Sequence, residues 1–244
     1  MTQSSYLSAV RERVVIFDGA SGTWLQAHEL GPDDFGGEAL EGCNEILCDT
    51  RPELISQMHR EYLEAGADVI ETNSFGAFGV PLAEYDMPER AHELSLKSAQ
   101  LARAAADEFS TPEKPRWVGG SMGPGTKFAT LGNISYEDLR ASYYPSALGL
   151  LEGGVDLFVI ETQFDLLGAK AAMAACRDAM AEVGREVPIQ VQVTIEKDDG
   201  EIATFVEVFP NTIVWGNPKN GQGYDLVLTG QVEPFRIDVD QWQA

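Results

Sequence analysis

Two stretches of this chain share one pattern. Leu63-Glu64-Ala65-Gly66-Ala67-Asp68-Val69-Ile70-Glu71-Thr72-Asn73 recurs as Leu151-Glu152-Gly153-Gly154-Val155-Asp156-Leu157-Phe158-Val159-Ile160-Glu161-Thr162-Gln163. Each copy closes a helical pattern at a glycine and runs through an apolar stretch of the length a buried parallel strand needs. Each then delivers a carboxylate, a hydroxyl and an amide at its end. Polar groups at the carboxyl ends of parallel strands are where open α/β sheets and closed (β/α)8 barrels bind ligands, so two copies predict two strands aimed at one pocket. A single Glu-Thr pair is equally well explained as a strand end that caps the next helix. Recurrence favours the pocket, although duplication of a structural unit also produces it.

The remaining segments fit this grammar. Arg13 to Phe17 is a β-rich run that opens into Asp18-Gly19-Ala20-Ser21-Gly22-Thr23. There the small residues permit close approach of a ligand, and Asp18 is suited to accept hydrogen bonds from an ammonium group. A plain turn with an Asx bond accounts for Asp18 as well. Gly31 to Thr50 is rich in Gly, Asp and Glu and reads as a long loop over the strand ends. Helices are predicted from the Asp49-Thr50-Arg51-Pro52 start to Gly66, with Asp49 or Thr50 near the cap, and from Pro88 to Phe109. Further helices run from Tyr136 to Leu151, kinked at Pro145, and from Leu166 to Val183, closed by Gly184. His59 and His92 read as helix-surface residues. Strands are predicted at Ala67 to Thr72, Arg116 to Gly120, the second copy, and Pro188 to Thr194.

Five strands alternating with four helices give a parallel α/β class. After about Lys197 the pattern changes to short β-like runs at Glu201 to Phe209, Thr212 to Trp215, Tyr224 to Leu228 and Phe235 to Val239. They are divided by Pro, Asn and Gly turns, and an antiparallel tail is expected. Such a chain is too short in alternating units to be a whole (β/α)8 barrel.

Bulk properties narrow the partners. With 17 Lys and Arg against 39 Asp and Glu, the net charge of -22 excludes a phosphate-backbone surface, so no nucleic acid is expected. No apolar run suffices to span a bilayer and Met1 to Arg13 lacks a signal-peptide core, so a cytoplasmic protein without a membrane partner is expected. Three cysteines, Cys43, Cys48 and Cys176, match no disulfide framework. Cys43 and Cys48 alone would hold a metal poorly, and Cys176 sits in an Ala-rich helical pattern.

Five ordered blocks then carry a resemblance. Val15 to Thr23, Gly42 to Leu47, Glu64 to Phe75, Gly120 to Gly125 and Ile160 to Asp165 together resemble the homocysteine S-methyltransferase family. The likeness is closest to the amino-terminal, homocysteine-binding domain of cobalamin-dependent methionine synthases and covers residues 12–196. It implies a (β/α)8 fold and methyl transfer to the homocysteine thiol, giving methionine, with zinc favouring the thiolate. By resemblance Asp18 and Glu161 hold the amino-acid ammonium, and Gly19, Thr72 and Asn73 line the same pocket.

The family's zinc sits on three cysteines of the second barrel half, one in a Gly-x-Asn-Cys strand end and two in a Gly-Gly-Cys-Cys segment. Neither pattern occurs here, so no catalytic or metal-ligating residue is assigned in this chain. Cobalamin or methylfolate is expected only through other domains or chains.

The expectation is a partial TIM barrel of about five strands and four helices over residues 1–196, with a β-rich tail over 197–244. Its open edges call for cover by the tail, by a second copy or by a partner chain completing the barrel. The resemblance thus leaves two functions: a methyltransferase lacking its zinc ligands, or an amino-acid-binding or interaction module that keeps the pocket without the chemistry.

Overall fold

A computed structural model describes residues 5–194 and the backbone of two further strands, 211–216 and 226–231. The order is α1 (Ser5–Glu12), α2 (Ser21–Gln26), α3 (Pro32–Phe35), α4 (Leu47–Thr50), α5 (Pro52–Ala65), β1 (Val69–Glu71), α6 (Gly79–Leu82) and α7 (Ala91–Phe109). There follow β2 (Trp117–Met122), α8 (Tyr136–Glu152), β3 (Leu157–Gln163), α9 (Leu166–Val183), β4 (Ile189–Val193), β5 (Asn211–Gly216) and β6 (Leu226–Gln231). The first four strands form one parallel sheet in the order β1-β2-β3-β4. Phe17 adds a single parallel bridge to Val69 on the outer side of β1, so the predicted first strand is present in place but reduced to that contact.

Both copies of the repeated phrase begin with the same device. Gly66 and Gly154 take positive φ, 115° and 99°, and turn the chain out of the helix. The next acid then fixes the strand start to its neighbour. Asp68 accepts from the Ile16 N–H (3.0 Å) and pairs with Arg13, while Asp156 accepts from the Val118 N–H (2.8 Å) and pairs with Arg103.

Alternation divides the sheet into two faces. Ile70, Val118, Met122, Phe158 and Ile160 enter the main core beneath α7, α8 and α9, whose small residues Ala99, Ala147, Ala172 and Ala175 let the helices sit close. Val69, Trp117, Leu157 and Val159 face the other way and pack with Tyr6 of α1. The Tyr6 ring stands edge-on to Trp117 at 5.9 Å. Because these are residues from the earlier part of each strand, α1 covers that end of the inner face and leaves the carboxyl ends clear.

Several expectations are corrected. The segment from Gly31 to Thr50 folds as short helical turns rather than an open loop: Pro32 starts α3, Gly36 at φ 89° ends it, and 3-10 turns at Glu38–Leu40 and Asn44–Ile46 follow. Arg51, not Asp49 or Thr50, occupies the α5 cap. Asp49 is instead drawn to Arg90 and Lys97, and the Thr50 hydroxyl bonds back to Ile46. Pro145 lies inside α8 without ending it, which leaves the expected kink compatible with one continuous element. His59 is fully buried and neither ring nitrogen has a partner, whereas His92 lies at the surface with Nε2 2.8 Å from Glu152. Burial lowers the His59 pKa to about 4, which keeps the ring neutral.

In the tail, β5 and β6 pair antiparallel, as expected of that segment. The predicted runs at 201–209 and 235–239 lie outside the described residues. No described helix is long and apolar enough to cross a membrane.

Candidate functional site

Three carboxylates converge at the carboxyl ends of neighbouring strands. Asp18 follows the Phe17 bridge and donates its own N–H to Val69 O (2.9 Å), which sets it beside β1. Its Oδ2 accepts from the Glu71 N–H at 2.9 Å. Glu71 ends β1, and the charges of Glu161 on β3 and of Asp18 both act on its side chain. From β2, which lies between them, Ser121 Oγ donates to Glu161 Oε1 at 2.6 Å. In a parallel sheet with odd residues facing inward, Val69 and Glu71, Trp117, Gly119 and Ser121, and Val159 and Glu161 share one face. Gly119 opposite Glu71 leaves the room, since a Cβ there would stand 3.0 Å from Val159 and 3.5 Å from Glu71 Cγ.

The electrostatics follow from burial. Burial first, with Glu161 adding to it, pushes Asp18 up to about 7 despite two backbone N–H donors. Burial and then the charges of Glu161 and Asp18 raise Glu71 well above the ordinary carboxylate range. Burial raises Glu161 as well, although Ser121 donates to it. None of the ion pairs among the described residues reaches any of the three. Such a cluster suits a cation with several N–H donors better than it suits any anion.

Of the residues singled out in the sequence, Asp18 and Glu161 belong to this cluster. Gly19 borders it, and a Cβ there would stand 3.0 Å from the Tyr62 ring, whose hydroxyl donates to Ala20 O. Thr72 and Asn73 are buried behind it with their polar groups engaged. Thr72 Oγ1 accepts from the Ser121 N–H (2.9 Å) and pairs with Ser74 Oγ (2.6 Å). Asn73 Nδ2 donates to Asn44 O (2.7 Å) and reaches Cys48 Sγ. They brace the strand ends and the turn over them. Glu71 and Ser121 were not assigned from the sequence. The signal for Glu71 was present, because it is the mate of Glu161 in the repeated phrase.

The end of β3 departs from regular geometry. Thr162 has φ +56°, and pairing with β4 slips there: Ile160 faces Val191, but Gln163 faces Val193. One extra residue sits in β3, a bulge. Gln163, now buried, donates Nε2 to Glu161 O at 3.3 Å and accepts from the Thr194 N–H through its carbonyl. Asp165 then caps α9 at Leu167 N and holds the loop at Thr130.

The thiols present are poor donors for the zinc that the resemblance implies. Cys43 lies 3.6 Å from Glu45 Oε2, Cys48 contacts Asn73 O, and Cys176 faces Met122 across the main core; all three are free and buried. Burial pushes Cys43 and Cys48 up to about 12 and Cys176 higher still, which favours thiols over the thiolates that zinc requires. Among the described residues no three of His, Cys, Asp or Glu are arranged as metal ligands. These residues do not fit the metal.

Comparison with known proteins agrees with the fold. The sequence profile described as homocysteine S-methyltransferase matches residues 15–215, and so continues beyond residue 196 into β5. A methionine synthase of Mycobacterium leprae (strain TN) is 50% identical over 190 residues, 78% of this chain and 16% of that relative. One from Mycobacterium tuberculosis (strain ATCC 25618 / H37Rv) is 49% identical over 190 residues, with the same shares. This chain thus spans 16% of the length of these curated relatives.

Among solved structures, the metallated form of the homocysteine methyltransferase MmuM from Escherichia coli matches with a TM-score of 0.57 at 24% identity, over 75% of this chain and 64% of that one. Its apo form gives 0.56 at 22% identity, over 85% and 72%. These likenesses concern the fold, a part of the barrel those proteins share. By the profile match and the mycobacterial relatives, the chain belongs to the homocysteine S-methyltransferase family.

Proposed function

We propose that this chain holds the amino-acid end of homocysteine for methyl transfer to the thiol, giving methionine. Asp18, Glu71 and Glu161 grip the ammonium group, with Gly19 giving the ligand room and Thr72 and Asn73 bracing the pocket wall. The observation that carries this reading is the convergence of three carboxylates, without a basic partner among the described ion pairs, at the strand ends where α/β sheets bind ligands. The thiolate-activating metal and the methyl donor, cobalamin or methylfolate, come from other domains or chains. That division accords with thiols that are few, buried and apart. The three free thiols also suit a reducing, cytoplasmic setting.

Those same thiols favour a second reading, in which the protein binds the amino acid and performs no transfer. Calorimetric titration with homocysteine and with methionine tests the shared part of both. Binding without added zinc, lost in Glu161→Ala, supports the site, and absence of binding to either amino acid rejects it. Zinc-dependent methionine formation with a methyl donor and the partner chain then separates the methyltransferase from the binding module. Among the described residues no strand pairs on the outer side of Val14 to Phe17, which makes that edge the place for a second copy or a partner to complete the barrel, while β6 lies close to β4.

A further inference from the structure

We propose, resting on the amino-acid reading above, that Ser121 is a further binding residue. Its hydroxyl oxygen accepts one N–H of the ligand's ammonium group, and the site thereby selects primary amines over N-alkylated ones.

Ser121 is tied to both neighbouring strands. Its N–H donates to Thr72 Oγ1 at 2.9 Å and its carbonyl accepts from Ser74 Oγ at 2.8 Å, so the residues after β1 fix the backbone of β2 at this point. From there the side chain reaches β3, where Oγ donates to Glu161 Oε1 at 2.6 Å. A serine hydroxyl has one proton to give and two lone pairs to receive with. Glu161 takes the proton, and the lone pairs are left for a donor. Donation to a carboxylate also polarises the oxygen, which makes it the stronger acceptor.

The same bond decides what Glu161 offers. With Oε1 engaged by Ser121, Oε2 is the oxygen that faces a ligand unencumbered, and it takes one N–H of an ammonium group. A second carboxylate of the cluster takes another, and Ser121 takes the third. No N–H is then left to be replaced by carbon.

The rest of β2 supplies no rival acceptor. Ser121 carries the one hydroxyl of that strand, and Gly119 precedes it on the carboxylate face. Gly123, two residues further on, lies under the Phe75 ring, which a Cβ there would meet at 2.5 Å. Beyond Ser121 the wall is therefore apolar, and the charged end of the ligand stops at the serine.

Calorimetric titration of the full chain at pH 7.5 with L-methionine and with N-methyl-L-methionine tests this. Both ligands carry one positive charge, but the second has two N–H donors and an added methyl group. The wild type should prefer methionine by at least about tenfold, the worth of one hydrogen bond to a charged group. Ser121→Ala removes the acceptor and opens space for the methyl group. Methionine should then bind about tenfold or more weakly, and the preference should shrink below about threefold.

A serine that only braces Glu161 would weaken both ligands alike in Ser121→Ala, and a preference left at its wild-type value overturns the proposal. Because Ser121 is buried, Ser121→Cys serves as a second variant of similar shape whose sulfur is a weak acceptor. It should lose methionine affinity by about the same factor, and wild-type affinity in Ser121→Cys counts against the contact. Equal binding of the two ligands by the wild type overturns it whatever the variants do. No binding of methionine by the wild type overturns the amino-acid reading, and this inference with it.

Discussion

The two copies of the repeated phrase are alike where they build the sheet and differ where they meet a ligand. Gly66 and Gly154 share the left-handed turn, and Asp68 and Asp156 share the same anchor to the neighbouring strand and an arginine. At the other end Thr72 is regular and ties β1 to β2, whereas its counterpart Thr162 is the left-handed residue of a bulge. A β-branched side chain at positive φ is a strained arrangement, and the bulge re-aims the residue beside it, which is Glu161. Ala65 is matched by Gly153, where a Cβ would collide with Ala99 and approach Leu96 O at 2.9 Å, so the extra glycine lets α8 lie against α7. Repetition therefore marks scaffold at the start of each strand and chemistry at its end.

The contrast can be broken first at the two glutamates. Glu161→Ala should weaken methionine or homocysteine binding on the order of 100-fold, because it leaves the ligand's charge short of a buried partner. Glu71→Gln should cost less, under about tenfold, because the amide keeps an acceptor for the ligand's ammonium while Asp18 and Glu161 keep their carboxylates. Calorimetric affinities of equal loss in both would erase the proposed difference between the copies.

A second break concerns His59, whose counterpart in the other copy is the buried Ala147. Its folded pKa of about 4 lies below the ordinary 6.5, so the unfolded chain takes up a proton that the folded one refuses. The stability it permits is complete above pH 6.5 and falls as pH drops toward 4. The loss from this residue is about 2 kcal/mol by pH 5. Denaturant midpoints of the wild type and His59→Leu should diverge by about that much between pH 7 and 5. The raised acids of the cluster act in the opposite direction but cancel in the difference.

The threonines give smaller effects. Thr72→Val strips the acceptor from the buried Ser121 N–H and should cost about 1–3 kcal/mol in chemical denaturation. Thr162→Gly should leave stability within about 1 kcal/mol of the wild type, because relief of the left-handed strain offsets the more flexible unfolded chain. A loss at Thr162 equal to that at Thr72 would mean the bulge is braced by the threonine side chain rather than by Gln163.

Much of this was legible before any coordinates. The α9 bounds follow from an apolar pattern closed by Gly184, and strand-end logic with the family blocks points to Asp18 and Glu161, which lie in one carboxylate cluster. The misses have local causes. His59 reads as exposed among charged neighbours, yet it stands four residues from both Ile55 and Leu63 and so lies on the buried stripe of α5. The glycines and acids of residues 31–50 look like loop composition, but Pro32 and the Asp34 bond to the Gly31 N–H make helical turns of them. In the sequence Glu71 is overshadowed by the hydroxyl and amide that follow it, whose side chains are committed to neighbouring strands and turns. A bulge has no signature in residue type, so Thr162 could be placed only by the slip in pairing.

The most direct test of the amine site compares L-methionine with its 2-hydroxy analogue, identical except that a hydroxyl replaces the ammonium, by calorimetric titration at pH 7.5. The expected result is binding of methionine and a loss on the order of 100-fold or more for the hydroxy compound. Equal affinity for the two would show that the three carboxylates do not hold the ligand.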